Sequence, residues 1–250
     1  MLFRVARCVL MSGCVSIGVL QLGAIGLAAD LPYPVKAPPL PPVQPPSSWA
    51  GFYLGGQIGY GEDTVRWRNL GGSAAFSPLD SVTRDRGNGV IGGGQLGYNF
   101  QVNRLVFGVE GSVSAANFDR SFASPYFPAT DTWSSKLTWL GTVTGRVGYG
   151  FDSWMPYVKG GFAAGGVETT IQSTALGATA QGSSVHTGWT VGGGVEVKVA
   201  PKVSLGLEFM HTDLGRKTDI TSSSIGTAEN YGVGMRTNSL MARFNYLFGR

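Results

Sequence analysis

Apolar residues alternate with polar residues or glycine through most of this chain. The stretch GFYLGGQIGYG at 51–61 sets an apolar face, which includes Phe52 and Tyr60, against a face of glycines and Gln57. Successive side chains of a β-strand point to opposite sides, so this period of two predicts a strand with one apolar face. A near copy, GGGQLGYNF at 92–100, keeps the same alternation and predicts a second strand of the same kind.

Eight such stretches predict an all-β fold. They lie at 51–61, 90–100, 105–114, 133–149, 156–164, 186–199, 203–209 and 239–248. A tilted strand of about ten residues is long enough to cross a bilayer. The connections Gln101–Arg104, Phe151–Met155 and Ala200–Lys202 are short, and those near 62–88, 117–131, 167–184 and 214–235 are long and polar. The pattern predicts an eight-stranded antiparallel up-and-down transmembrane β-barrel with short periplasmic turns and long extracellular loops.

Low charge supports a lipid-facing surface. Charged residues make up 14% of the chain, against about 25% in a typical soluble domain. The pI near 9.1 is not accompanied by a basic stripe in the sequence, which argues against a nucleic-acid partner.

The N-terminal residues predict export. Arg4 and Arg7 precede an apolar run that ends in small residues at Ala28, as in a cleaved signal peptide at 1–28. Residues 29–48 are rich in proline and predict an extended periplasmic lead-in, so the barrel domain is predicted at 49–250. Cys8 and Cys14 lie in the signal, which leaves no disulfide or thiolate metal site in the mature chain.

Charged residues in the middle of strands fall on the face opposite the aromatic residues. In an eight-stranded barrel this face is the narrow interior, where charges need partners. We therefore expect an internal ion-pair network among Glu110, Lys136, Arg146, Lys159, Glu196, Lys198, Glu208 and Arg243.

Aromatic residues gather near the ends of the predicted strands. Tryptophan and tyrosine favour the two membrane interfaces, so two aromatic belts on the apolar face distinguish a membrane barrel from a soluble sandwich. The predicted girdle comprises Trp49, Phe52, Tyr60, Tyr98, Phe100, Trp133, Tyr149, Trp189, Tyr246 and Phe248.

Motifs for cofactors and catalysis are weak. The pattern GxGxxG occurs at 87–92 and 92–97, but no helix follows to receive a dinucleotide phosphate. His186 and His211, with Asp213 and Asp219 nearby, are compatible with a surface metal or haem contact, although a solvated rim is the simpler interpretation. Asp219 and Ser222–Ser224 leave a lipid-modifying enzyme as a further alternative. We therefore predict no catalytic, cofactor-binding or metal-binding residues and no cofactor.

Several long motifs, in order, resemble the alphaproteobacterial outer-membrane immunogenic protein family, a group of small opacity-type or porin-family barrels. They are WAGFYLGGQIGYG, VFGVEGS, LTWLGTVTGRVGYGFDSWMPYVKGG, GWTVGGGVEVKVAPKVSLGLEFMHTDLG and RFNYLF. The resemblance implies an abundant, non-enzymatic surface protein of the cell outer membrane that supports envelope integrity and contacts the host or environment through its loops.

These observations predict a structural and surface-interaction role, with a narrow porin-like channel for small solutes as the alternative. An eight-stranded interior is just wide enough for side chains to fill it, which disfavours the channel. The expected partners are outer-membrane lipid, periplasmic chaperones, the barrel-assembly machinery and ligands at the loops.

Overall fold

The computed structural model describes residues 48–71, 77–224 and 228–248, without the side chains of 119, 120, 219–223, 228 and 229. The predicted signal peptide and nearly all of the proline-rich segment lie outside the described residues. Eight strands account for most of the rest: β1 Gly51–Gly71, β2 Val82–Val102, β3 Leu105–Ala123, β4 Asp131–Tyr149, β5 Trp154–Ser173, β6 Ala178–Ala200, β7 Val203–Ser223 and β8 Ala228–Leu247.

The strands form a closed antiparallel barrel, which confirms the predicted fold. Each strand pairs with the next in sequence, and β8 closes the ring by pairing with β1. The closing register runs from Tyr53 opposite Leu247 to Gly71 opposite Asn230. In the described part of the chain, no helix is long and apolar enough to cross a membrane.

The strands are longer than the sequence predicts. They contain 19 to 23 residues, about twice the number that a tilted strand needs to cross a bilayer. The turns at 103–104, 150–153 and 201–202 are short, as predicted, but at the other end the strands continue through most of the predicted loops. Most of the segments predicted as long loops therefore extend the barrel wall beyond the membrane, and the described connections at 124–130 and 174–177 are short.

The apolar side chains lie on the outer face in the lower part of the barrel wall and on the inner face in the upper part. In the lower part of β1, Ile58 and Tyr60 point outward and are 63% and 54% exposed, whereas in the upper part Val65 and Trp67 point inward and are fully buried. The lower outer face meets hydrocarbon and the upper outer face meets water, so the apolar side of the strand changes while the period of two continues.

A β-bulge in β4 corrects two sequence predictions. The register shifts between Leu137 and Trp139, and an extra residue in a strand reverses the alternation, so the residues before the bulge occupy the opposite face from the one that the residues after it predict. Trp133, predicted in the girdle, is consequently 1% exposed and lies inside the barrel. Lys136, predicted inside, lies on the outer wall beside Asp119 of β3 and Glu168 of β5 in the register.

Interior glycines make room for large side chains from neighbouring strands. A Cβ atom at Gly97 of β2 would collide with the phenol ring of Tyr53 on β1, which is 1% exposed inside the barrel. On the outer wall, a Cβ atom at Gly111 of β3 would have no neighbour within 4 Å. The inward-facing glycines of the motif repeated at 51–61 and 92–100, such as Gly55, Gly93 and Gly97, thus leave room for packing within a narrow barrel.

Replacement of Gly97 by valine is expected to destabilise the barrel by about 1–3 kcal/mol or more, because it overpacks the interior against Tyr53. The measurement is the free energy of unfolding in urea of protein refolded into lipid vesicles. Gly111→Val adds the same side chain to the lipid-facing wall and should change this free energy by less than about 1 kcal/mol. Equal effects of the two substitutions would contradict the packing role.

Candidate functional site in the barrel interior

Six charged side chains form a layer across the barrel interior. They are Glu110 of β3, Arg146 of β4, Lys159 of β5, Glu196 of β6, Glu208 of β7 and Arg243 of β8. Each is at most 4% exposed. The layer combines three carboxylates with three cations, so its formal charge is zero. We call these six residues the charge layer.

The members of the charge layer pair extensively with one another. Lys159 Nζ lies 2.8 Å from Glu110 Oε1 and 2.8 Å from Glu208 Oε1. Arg243 forms ion pairs with the same two carboxylates. Arg146 Nη1 donates to Glu196 Oε1 at 2.9 Å. Each carboxylate therefore has a cation from another strand, and the contacts connect opposite sides of the ring.

Neutral polar groups also donate hydrogen bonds to the three carboxylates. The hydroxyl of Tyr53 donates to Glu110 Oε2 at 2.6 Å, and the hydroxyl of Tyr157 donates to Glu208 Oε2 at 2.6 Å. Glu196 accepts a 3.2 Å hydrogen bond from Asn245 Nδ2. Buried charges are tolerated when they are paired and hydrogen-bonded in this way.

Trp49 closes the periplasmic end of the interior. The indole is 1% exposed and packs with Val106, Met155 and Tyr157, while its Nε1 donates to Phe151 O at 3.0 Å. Trp49 was predicted in the lipid-facing girdle, and that prediction is wrong because residues 48–50 precede β1 and lie across the barrel mouth. We call Trp49 and these three packing partners the periplasmic plug.

Lys198 belongs to the barrel mouth rather than to the charge layer. Its Nζ donates to Ser48 O at 2.7 Å and lies 4.4 Å from the centre of the Trp49 ring. Its side chain is only half-buried. Of the eight predicted interior charges, Lys136 and Lys198 therefore lie outside the buried layer.

Small polar residues fill the level above the charge layer. Gln57 Nε2 donates to Ser114 Oγ at 2.9 Å, and the hydroxyls of Ser112 and Thr142 are 2.7 Å apart. The cavity that borders these side chains has a volume of about 20 Å³, enough for about one water molecule. This level offers no continuous passage.

An apolar core fills the upper barrel, mostly in segments that were predicted as loops. The ring of Trp133 lies 5.4 Å from that of Trp67 and 5.8 Å from that of Tyr231, centre to centre. The surrounding core includes Val65, Phe118, Leu137, Val167, Ile171, Val233 and Met235. The continued alternation in VRWRNL and YGVGMR was the signal that could have identified it.

Eight members of the predicted girdle lie on the outer face. Phe52, Tyr60, Tyr98, Phe100, Tyr149, Trp189, Tyr246 and Phe248 are 39% to 62% exposed. The rings of Phe52 and Tyr98 pack edge to face across β1 and β2, 4.7 Å apart. Trp49 and Trp133 are the two exceptions, and both fill the interior.

The two histidines do not form a joint site. His186 points into the barrel and is fully buried, so the expected solvated rim is wrong for this residue. His211 lies on the outer face, where its Nδ1 is 2.6 Å from Asn238 Oδ1. Among the described residues, no group of three histidine, cysteine, aspartate or glutamate side chains could hold a metal ion. The side chains of Asp219, Ser222 and Ser223 lie outside the described residues.

Comparisons with known proteins agree with the barrel geometry. Residues 39–248 match a family described as "Outer membrane protein beta-barrel domain". The chain is 32% identical over 201 residues to a 22 kDa outer membrane protein of Rhizobium leguminosarum bv. viciae, covering 78% of this chain and 81% of the relative. It is 30% identical over 215 residues to a 25 kDa outer-membrane immunogenic protein of Brucella ovis, covering 85% and 93%.

A solved structure shows the same kind of fold at low identity. The outer membrane protease OmpT from Escherichia coli superposes with a TM-score of 0.52 at 9% identity, covering 79% of this chain and 96% of OmpT. At this identity the likeness concerns the fold alone.

Replacement of Arg243 by methionine is expected to lower the free energy of unfolding by about 3–5 kcal/mol, because Glu110 and Glu208 lose a buried cationic partner. Adding Glu110→Gln restores charge balance and should recover part of that loss. The measurement is a double-mutant cycle from urea unfolding in lipid vesicles.

The exposed pair of Arg236 and Asp213 provides a matched control. Its two charges are 2.8 Å apart, and the arginine side chain is 68% exposed, so Arg236→Met should change stability by no more than about 1 kcal/mol. An Arg243→Met protein as stable as wild type would show that the charge layer does not hold the barrel interior together.

Proposed function

The chain belongs to the outer membrane protein β-barrel family, and from this premise we propose that it is a sealed barrel with structural and surface-contact roles. It is an outer-membrane surface protein related to named immunogenic proteins of Brucella. The finer proposal is that the lower barrel anchors the protein and supports the envelope, while the raised upper wall meets the surroundings of the cell.

The observation that carries this proposal is the filled interior. The periplasmic plug, the charge layer, the polar level and the upper apolar core follow one another from one end of the barrel to the other. Solute diffusion through an eight-stranded barrel would require space between these side chains, and packed interiors contain few voids larger than a water molecule.

A non-catalytic role fits the comparisons best. The names of the Rhizobium and Brucella relatives describe an outer membrane protein and an immunogenic protein, and neither name describes a reaction. The structural likeness to OmpT concerns the fold, and activity depends on a site rather than on a fold. The charge layer is occupied by its own ion pairs and is closed off by the periplasmic plug below and the apolar core above, so it offers a substrate no route of entry.

Purified protein in planar lipid bilayers is expected to show no steady channels, because the filled interior blocks ion passage at several levels. The measurement is single-channel current in potassium chloride at several concentrations, with a known porin reconstituted in the same way as a positive control. Steady current steps that grow with salt concentration would favour the porin-like alternative and contradict the sealed barrel.

A strain that lacks the gene is expected to become more sensitive to bile-salt detergents and to regain resistance when complemented with the wild-type gene.

Complementation with Leu79→Cys should also restore resistance and make the protein reactive with a membrane-impermeant maleimide on intact cells. Leu79 is 60% exposed in the connection between β1 and β2, at the end opposite the short turns.

Asp152→Cys is the matched control for surface display. Asp152 is exposed in the turn between β4 and β5, so it should react only after the outer membrane is permeabilised. Unchanged detergent resistance in the deletion strain would contradict the envelope role, and the reverse labelling pattern would contradict the proposed orientation.

A further inference from the structure

Six arginines lie together on the outer wall of the upper barrel. They are Arg66 and Arg68 of β1, Arg84 and Arg86 of β2, Arg216 of β7 and Arg236 of β8, and all are exposed. These four strands are consecutive in the closed ring. The expectation that the chain has no basic stripe is wrong, because the arginines become neighbours only when β8 pairs with β1. We call these six residues the arginine cluster.

The strand register brings the arginines side by side. Arg66 lies directly opposite Arg84. Thr64 of β1 lies between Arg86 on β2 and Arg236 on β8. In the same way, Gly234 of β8 lies between Arg66 on β1 and Arg216 on β7. A depression of about 340 Å³ opens at this place, lined by Arg66, Arg84, Arg216 and Arg236. Gly234 contributes no side chain to fill it.

The arrangement is electrostatically unfavourable without a bound anion. Like charges directly opposite each other on neighbouring strands destabilise a sheet, and the nearby Arg84 lowers the pKa of the Arg66 guanidinium from its ordinary value. Arg68 pairs with Asp80 and Arg236 with Asp213. Within the described part of the chain, no carboxylate forms an ion pair with Arg66, Arg84, Arg86 or Arg216.

The arginine cluster lies just above the lipid-facing band. The last outward apolar residues of the band on these strands are Tyr60, Val90, Phe209 and Leu240, which are 52% to 54% exposed and lie opposite one another in the register. Arg86 and Arg236 lie four residues above Val90 and Leu240 on their strands, and Arg66 and Arg84 lie six residues above Tyr60 and Val90. For strands tilted by about 40°, four to six residues rise roughly 10–15 Å along the membrane normal.

We propose that the arginine cluster binds the phosphorylated saccharide head group of an outer-leaflet glycolipid, whose acyl chains lie against the apolar band below. Guanidinium groups bind phosphate through paired, charge-assisted hydrogen bonds. The anion would relieve the repulsion between Arg66 and Arg84, while the head group enters the depression at Gly234.

The position of the cluster selects a lipid rather than a soluble polyanion. A soluble sulfated polysaccharide needs only exposed charge and would be served equally well by arginines at the tip of the barrel. These arginines instead stand on the side wall, directly above the exposed row of Tyr60, Val90, Phe209 and Leu240. Basic groups next to a membrane surface attract anionic lipid, and one amphiphile can contact both levels.

The test measures binding of bisphosphorylated lipid A to the mature protein in detergent micelles by microscale thermophoresis. The variant Arg66→Gln, Arg84→Gln, Arg216→Gln should bind roughly 100-fold more weakly, since each basic residue near an anionic lipid surface contributes about fivefold. The single variant Arg84→Gln should bind about fivefold more weakly. Folding of each variant is checked by its change in electrophoretic mobility on heating.

A charge-matched control separates the cluster from overall charge. The variant Arg104→Gln, Lys136→Gln, Lys202→Gln removes three positive charges from two turns and from β4, away from the cluster, and should keep wild-type affinity within about twofold. Dephosphorylated lipid A should bind weakly to the wild type, and inorganic pyrophosphate should compete poorly because it lacks acyl chains.

Several results would overturn the proposal. They are equal lipid A binding by the cluster variant and the wild type, equal binding of lipid A with and without phosphate, and full competition by pyrophosphate. Binding of soluble heparin without binding of lipid A would instead assign the cluster to a soluble polyanion. None of these results depends on whether the barrel conducts, so failure here and failure of the sealed-barrel proposal are distinguishable.

Discussion

The backbone of a chain in hydrocarbon must satisfy every hydrogen bond internally, and the other features of this barrel follow from that requirement. Pairing of β8 with β1 leaves no open sheet edge, as a membrane strand requires. Closure with eight strands also sets a narrow interior that side chains must fill. The buried ion pairs, the interior glycines and Trp49 at the barrel mouth are different ways of filling that fixed space.

Much of the fold could be predicted from the sequence because alternation reports which solvent each strand face meets. The strands, their order and the short turns were all predictable from the period of two and from the short breaks between the alternating stretches. The upper wall was not, because above the membrane the apolar residues move to the inner face. VRWRNL looks like a polar loop when apolar residues are expected outside, although Val65 and Trp67 alternate regularly with Arg66 and Arg68.

Local irregularities of the strands could not be predicted from the sequence, for a different reason. The bulge between Leu137 and Trp139 reverses the faces of the preceding residues, and no residue type in KLTWL requires an extra residue there. Trp133 was therefore predicted outside and Lys136 inside, each on the wrong face. Trp49 was predicted on the wrong face because it precedes β1, where side chains do not follow the alternation of a strand.

The candidate sites were also predictable only in part. The alternation of strand faces alone places Glu110, Arg146 and Arg243 on one face, so a charged interior could be expected from the sequence. Which charge meets which depends on the register across the whole ring, as in the contact of Arg243 with Glu110, 133 residues apart in the chain. The arginine cluster was hidden for the same reason, since β1 and β8 lie at opposite ends of the domain.

The raised upper wall determines what an antibody against this protein would recognise. Each strand there shows only every second residue to the outside, and the adjoining exposed residues come from neighbouring strands. Arg66, Arg84 and Arg216 form one continuous patch of surface although they are far apart in sequence. A linear peptide copied from β1 would instead display Trp67, which is buried in the folded wall. An antibody that binds this patch therefore requires an epitope that exists only in the assembled barrel.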